Sequence, residues 1–158
     1  MYKYLKGGYS ILINKKYANK DNWHDLISLY VKEDQSQFIE SNLLSIAESK
    51  FEKSWKPVGI YDGDTLIGFA MYGKLEYEKR VWLDRFMIDY RFQNKGYGRA
   101  SLDYLINSLI KEYNCTEIYL SIYEENSHAI KLYKSVGFNF NQEVDDNGEK
   151  VMVLKLND

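Results

Sequence analysis

The stretch Arg91-Phe92-Gln93-Asn94-Lys95-Gly96-Tyr97-Gly98-Arg99-Ala100 carries the clearest chemistry in this chain. It lies between an apolar strand pattern and an amphipathic helix pattern over Ser101 to Lys111. A glycine-bearing turn that opens a helix leaves backbone N–H groups unpaired at the positive end of the helix dipole. That makes an anion cradle, in practice usually one for phosphate. Gly96 and Gly98 lack a Cβ, so the backbone can approach a phosphate oxygen closely, and Lys95 and Arg99 add positive charge beside it. Downstream, Tyr133 stands seven residues after Asn126, two helical turns along one face, so both can meet one ligand. Asn126 reads equally as a helix N-cap, and Tyr133 as a core residue. Upstream, strand alternation puts Trp82, Asp84, Phe86 and Ile88 on one face, setting Asp84 in apolar company that raises a carboxyl pKa. Asp84 reads as a proton acceptor or as a structural carboxylate.

The elements that must position these residues follow from periodicity and turn signals. Residues 1–8 read as a loose lead ending in Gly7-Gly8, and Tyr9 to Asn14 as a strand. Asp21 can cap a helix over Asn22 to Tyr30, and a second helix covers Ile39 to Phe51 with Leu43, Leu44, Ile46 and Ala47 as its apolar residues. Strands over Pro57 to Tyr61 and Thr65 to Leu75 flank the hairpin signal Asp62-Gly63-Asp64, and Arg80 to Asp89 is the strand before the glycine turn. Then come the helix, a strand over Thr116 to Ile122, a helix over Asn126 to Ser135, and strands over Gly137 to Glu143 and Glu149 to Leu156. The order βααβββαβαββ predicts an α/β (α+β) fold, a mixed sheet with helices on both faces, and not a doubly wound nucleotide fold. With 158 residues, one proline and no linker or repeat, the chain reads as a single domain over 1–158.

Known phosphate motifs separate cleanly. The dinucleotide fingerprint needs a third glycine where Ser101 stands, and no Gly-x-x-x-x-Gly-Lys-Ser/Thr occurs. Gln93-x-x-Gly96-x-Gly98 instead resembles the acetyl-CoA pyrophosphate loop of the GNAT N-acetyltransferases. Asn126-x-x-Ala129-x-x-x-Tyr133, followed by Gly137-Phe138, resembles that family's last cofactor-side helix. The likeness spans nearly the whole chain. It extends to small bacterial spermine/spermidine N-acetyltransferases through Gly68–Gly73, Val81–Phe86, Tyr119–Glu124 and Asn147–Val153. It implies a mostly antiparallel central sheet and acetyl-CoA as cosubstrate, held by residues 93–99 (Gln93, Asn94, Lys95, Gly96, Tyr97, Gly98, Arg99) and Asn126. It also implies that the strand splays from its neighbour near Met87 and Ile88, freeing backbone groups for the pantetheine arm and one N–H to polarise the thioester carbonyl. Asn94 departs from the small glycine that many members carry there.

The same resemblance makes Tyr133 a general acid toward the CoA sulfur and gives Asp84 the handling of the amine. The second task is a real barrier: an alkyl ammonium of pKa ~10.4 lies about 3.4 units from neutrality at pH 7, roughly 4–5 kcal/mol. A carboxylate at the acetyl carbon lowers it, directly or through a water. For the acceptor, Glu33, Asp34 and Glu40 interleave with Tyr30, Gln35, Gln37 and Phe38, a negative aromatic slot suited to a polycation such as a polyamine, with Glu76 and Glu78 extending the field from the other side. Solvated acidic helices are the plain alternative.

Composition narrows the classes. With 21 Lys plus Arg against 23 Asp plus Glu, there is no basic excess for a nucleic-acid reader. Aromatic residues make up 16% of the chain, 15 of them Tyr, apolar bodies with polar tips that suit a cleft for an elongated polar ligand. The single Cys115 excludes an intramolecular disulfide and a cysteine-based zinc site, and reads as a buried residue starting a strand. His24 and His128 read as solvated, so no metal is expected. Residues 1–6 carry no apolar run, which points to a cytoplasmic protein with no membrane partner. A homodimer through the last hairpin is a further expectation.

Overall fold

The computed structural model describes residues 2–6 and 8–156. Eight strands form one sheet in the order β1-β2-β3-β4-β5-β6-β8-β7. They are β1 (Tyr2–Lys6), β2 (Tyr9–Tyr17), β3 (Lys56–Asp62), β4 (Thr65–Leu75), β5 (Arg80–Ile88), β6 (Glu117–Ile122), β7 (Asn139–Val144) and β8 (Lys150–Lys155). Every neighbouring pair is antiparallel except β5 and β6, which run parallel. Helices α1 (Trp23–Ile27) and α2 (Asn42–Phe51) cover one face, where Leu26, Ile46, Phe69, Met71 and Met87 form a core. Helices α3 (Tyr97–Tyr113) and α4 (Ser127–Ser135) cover the other, packing on a larger core that includes Val58, Ile60, Tyr72, Leu83, Leu102, Leu105, Tyr133 and Phe138. The mixed sheet between two helical layers is the architecture that the element order predicts, and its mostly antiparallel pairing is what the family resemblance implies.

Four local expectations are corrected. Residues 2–6 of the supposed lead are strand β1, paired antiparallel with β2, and Gly8 at φ 84° allows the reversal (Met1 and Gly7 lie outside the described residues). Helix α1 is shorter than expected and begins after Asn22, without a cap from Asp21. Helix α2 starts three residues later than Ile39, where the Ser41 side chain accepts from Leu44 N–H, and its burial is inverted. It turns Asn42, Ser45, Ile46 and Ser49 inward, while Leu43 and Leu44 remain about half exposed. The polar inward residues are satisfied locally: Asn42 donates to the Leu26 carbonyl at 2.8 Å, and the Ser45 and Ser49 hydroxyls donate to carbonyls of Ser41 and Ile46 in their own turns. Cys115 is a half-buried loop residue ahead of β6, not its first residue.

The feature that positions the site lies in β5. Tyr72 pairs with Leu83 and Met71 with Arg85, which leaves Asp84 as an extra residue opposite no partner. Such a bulge bends the strand and breaks its alternation. Val81 and Leu83 face the α3 side, but beyond the bulge so does Phe86, while Met87 faces α2. Trp82 packs elsewhere, with Tyr119, Val151 and Val153. Phe86 therefore does not share the α2 side with Asp84, and the uninterrupted alternation expected for this strand is corrected: it breaks after Asp84.

Candidate active site

Strands β5 and β6 pair only at Val81–Ile118 and Trp82–Tyr119. Past these residues they diverge, and the gap is a cleft of about 180 Å³ lined by β5 from Leu83 to Ile88, by β6 from Leu120 to Ile122, and by parts of α4 and the glycine turn. Asp84, Met87, Ile88, Gln93, Asn94, Gly98, Asn126, Tyr133 and Glu40 all line it. The splay that the resemblance implies near Met87 and Ile88 is present, and it begins earlier, past Trp82.

At the turn, Gly96 caps α3 in the left-handed region at φ 92°, and Asn94 adopts φ 61°. That backbone explains the residue at 94: asparagine is among the few side chains that tolerate the left-handed conformation otherwise left to glycine. The first intrahelical bond of α3 runs from Ala100 N–H to the Gly96 carbonyl, so the N–H groups of Tyr97, Gly98 and Arg99 lie ahead of the ladder. A Cβ at Gly98 would come within 3.2 Å of Leu132, so this glycine also sets the approach of α3 to α4. The turn's side chains are engaged with the protein itself. Lys95 donates to the Arg91 carbonyl at 2.9 Å, Arg99 pairs with Asp103, and the Tyr97 hydroxyl donates to Asp62. Gln93 spans the cleft mouth, donating to the Ile88 carbonyl at 3.0 Å and to Gln35 at 2.8 Å. What the turn leaves free is thus its backbone N–H groups, and Lys95, Gly96, Tyr97 and Arg99 do not line the cleft wall. The Ile88 carbonyl is likewise already taken.

On the α4 side, Asn126 accepts weakly from Ala129 N–H at 3.4 Å, acting as a cap while facing the cleft. Tyr133 packs between Phe86 and Phe138, with ring centroids 6.4 and 5.9 Å away. Burial alone pushes its phenol pKa up, so the hydroxyl stays protonated.

On the α2 side lies a carboxylate cluster. Burial pushes the Asp84 carboxyl up to about 6; Arg85 opposes that rise, and Glu48, Glu40 and Glu149 reinforce it. The Arg85 guanidinium, only 14% exposed, bonds Asp84 through Nη1, and its Nη2 lies 3.3 Å from Glu48. Its Nε sits 2.9 Å from Glu40 but out of line for a hydrogen bond, so this contact is an ion pair that leaves a buried N–H unsatisfied. Glu149 also lines the cleft, accepts from the Ser121 hydroxyl at 2.9 Å, and is shifted upward, chiefly by burial. Phe38 and Tyr123 lie 6.4 Å apart, centroid to centroid.

Some expected residues lie elsewhere. Glu33 begins an exposed 3₁₀ turn (Glu33–Phe38) and does not line the cleft. Glu76 and Glu78 sit on the β4–β5 connection at the far end of the sheet, with Glu78 accepting from Trp82 Nε1. His128 is exposed but reaches the cleft rim. Arg85, Glu48 and Glu149 were not anticipated. Glu149 follows a turn motif, and only the β6–β8 register, with Ser121 opposite Val151 and Ile122 opposite Lys150, brings it beside Ser121.

Comparison with known proteins agrees with this geometry. The family model described as Acetyltransferase (GNAT) family matches residues 16–138. The chain is 48% identical to the spermine/spermidine N(1)-acetyltransferase of Bacillus subtilis strain 168, over 91% of this chain and 99% of that one. It is 47% identical, over the same shares, to the probable spermine N(1)-acetyltransferase of Bacillus subtilis subsp. natto. Among solved structures, the Vibrio cholerae spermidine N-acetyltransferase in complex with CoA and spermine superposes with a TM-score of 0.70 at 17% identity, covering 91% of this chain and 95% of that one. That likeness is one of fold. The glycine turn, the splayed strands and the match across most of the chain lead to one conclusion: the chain belongs to the GNAT acetyltransferase family.

Proposed function

We propose that this protein is an acetyl-CoA-dependent N-acetyltransferase that moves an acetyl group onto a primary amine of a polyamine of the spermine/spermidine type, by direct transfer with both substrates bound. The observation that carries the reading is Asp84, held at a strand bulge inside the cleft that Tyr133 lines from the opposite side of the sheet. The two curated relatives named above support the acceptor class.

When bound, acetyl-CoA supplies the activated acetyl group as a thioester. The backbone at Gly96 to Arg99 fits its pyrophosphate, because three N–H groups converge at a helix N-terminus with no Cβ at Gly96 or Gly98. The diverging backbone at Met87 and Ile88 borders the space for the pantetheine arm. Asp84 accepts the proton of the acceptor's ammonium, directly or through a water, and a carboxyl titrating near 6 is ionised yet basic enough for this at neutral pH. Tyr133, kept neutral by burial, donates its hydroxyl proton to the departing sulfur and is restored by the second proton that the acceptor nitrogen loses as the amide forms. Glu40, Glu149 and Asp84 attract the remaining positive charges of a polyamine, and Phe38, with Tyr123 beside it, offers an aromatic face to its ammonium groups.

The test is CoA release from acetyl-CoA, followed with a thiol reagent, across spermidine, spermine, putrescine, a lysine peptide and an aminoglycoside. Saturable turnover with spermidine or spermine, well above that with the lysine peptide, is expected. Turnover confined to the peptide or the aminoglycoside would overturn the polyamine assignment.

A further inference from the structure

A slot lined with carboxylates faces a conflict. The negative charge that attracts a polycation also drives a neighbouring carboxyl toward its neutral acid, and a neutral acid cannot take the acceptor's proton. Asp84 is the group at risk. Glu48 faces it from α2, Glu40 from the segment before α2, and Glu149 from the turn before β8; among the described residues the cation set against them is Arg85, on its own strand. The bulge lets these neighbours meet. In an unbroken strand, residues 84 and 85 would point to opposite faces. Here Arg85 Nη1 reaches back to both the Asp84 carboxylate and the Asp84 carbonyl, the latter at 3.2 Å. The rest of the guanidinium is anchored to Glu40 and Glu48, so it cannot leave without stranding three carboxylates.

We propose that Arg85 is a positioning residue for acetyl transfer: braced between Glu40 and Glu48, it holds Asp84 ionised and oriented in the cleft so that an acidic, polycation-attracting slot still contains a working proton acceptor. This rests on the reading of Asp84 as that acceptor. In the step concerned, an N–H bond of the acceptor's ammonium breaks, an O–H bond forms on Asp84, and the nitrogen keeps the electron pair with which it attacks the acetyl carbon. The proton then passes from Asp84 to solvent. Arg85 touches neither substrate in this account and changes no bond. It also has an opposing effect, since its charge repels the acceptor. Removing it therefore leaves polyamine attraction intact or improved while impairing turnover, a split that simple disruption of the slot does not produce.

The experiment measures kcat and KM for spermidine at saturating acetyl-CoA, from about pH 6 to about pH 9.5, for the wild type, Arg85→Gln, Arg85→Lys and Asp84→Asn. Arg85→Gln is expected to move the acidic limb of kcat/KM upward by about one unit. Its activity relative to wild type then falls about threefold near pH 6.5 and recovers to within about twofold above pH 9, with KM no higher than wild type. Arg85→Lys keeps the charge and keeps the limb in place. Should Arg85→Gln fold poorly, Glu149→Gln serves as the second variant. It removes a repelling carboxylate that does not brace Arg85 and is expected to move the limb downward. A mutant-to-wild-type ratio that stays constant across pH, or a Glu149→Gln limb that does not move, would overturn the proposal. Loss of the limb in Asp84→Asn with no displacement in Arg85→Gln would remove Arg85 alone; an unchanged limb in Asp84→Asn would remove the proton-acceptor reading beneath it.

Discussion

Two charged clusters on opposite faces of the sheet are near inversions of each other. On the α3 face, Glu112 is outnumbered by cations: it pairs with Lys15 and Lys56 and accepts from the Tyr72 hydroxyl at 3.1 Å. Burial pushes its carboxyl up, but the two lysines outweigh that and hold it below the usual range. Lys15 also lies over the Tyr72 ring, 4.5 Å from its centroid. On the α2 face, a single guanidinium is outnumbered by Asp84, Glu40 and Glu48, with Glu149 nearby, and one of its buried N–H groups has no aligned acceptor. A cluster whose carboxylate is saturated ties α3 to β2, β3 and β4 and leaves no acceptor free for a further cation. A cluster short of cations in an open cleft has room for the charges of a ligand. Structural and functional ion pairs are told apart here by stoichiometry and access, not by residue type.

The sharpest break in this comparison comes from the cleft's other wall. Tyr133→Phe removes one oxygen from a residue that no charged cluster supports, and kcat is expected to fall about a hundredfold or more, with little change in acetyl-CoA KM. Steady-state rates near wild type would remove Tyr133 as the proton donor. Glu112→Gln should do the reverse of any cleft mutation. Leaving Lys15 and Lys56 short of their partner is expected to cost about 1–3 kcal/mol in chemical denaturation while kcat stays within about twofold of wild type. A large loss of activity in the folded variant would mean that the saturated cluster is not merely structural.

The smallest effect has the most instructive sign. The Asp84 carboxyl titrates near 6 in the folded protein, above its ordinary value, so the native state holds a proton that the unfolded chain has already lost. Stability from this group is present at low pH and declines as pH rises through about 6. Asp84→Asn is therefore expected to stabilise the protein by about 1 kcal/mol at neutral pH, with the gain disappearing near pH 4, while activity is lost. Thermal melts at the two pH values test this; destabilisation at neutral pH would mean that the bond to Arg85 outweighs the cost of burial.

Much of the site was legible because its requirements are local. A positive φ at Gly96, the unpaired N–H groups at the start of α3, and the two-turn spacing of Asn126 and Tyr133 belong to a few consecutive residues each, and the structure sets them where the pattern placed them. Turn signals and short apolar runs likewise located β2 through β8, of which β3, β4, β6 and β8 are buried over continuous runs and not at alternate residues. The remainder depends on partners distant in the chain. Strand β1 exists because β2 offers it an edge to pair with. The outward leucines of α2 escape a periodicity argument because Asn42, Ser45 and Ser49 find acceptors only once α2 is seated beside Leu26. The bulge at Asp84 is a count of residues on β5 against β4, which neither strand contains alone. That one extra residue turns Arg85 back onto Asp84, and the seating of α2 and the β6–β8 register bring Glu40, Glu48 and Glu149 around them. The sequence by itself determined the left-handed turn that opens α3 and the two-turn spacing of Asn126 and Tyr133, because local conformation suffices for both. The acidic slot and the arginine that tempers it were decided by tertiary structure, because long-range register sets which charges meet.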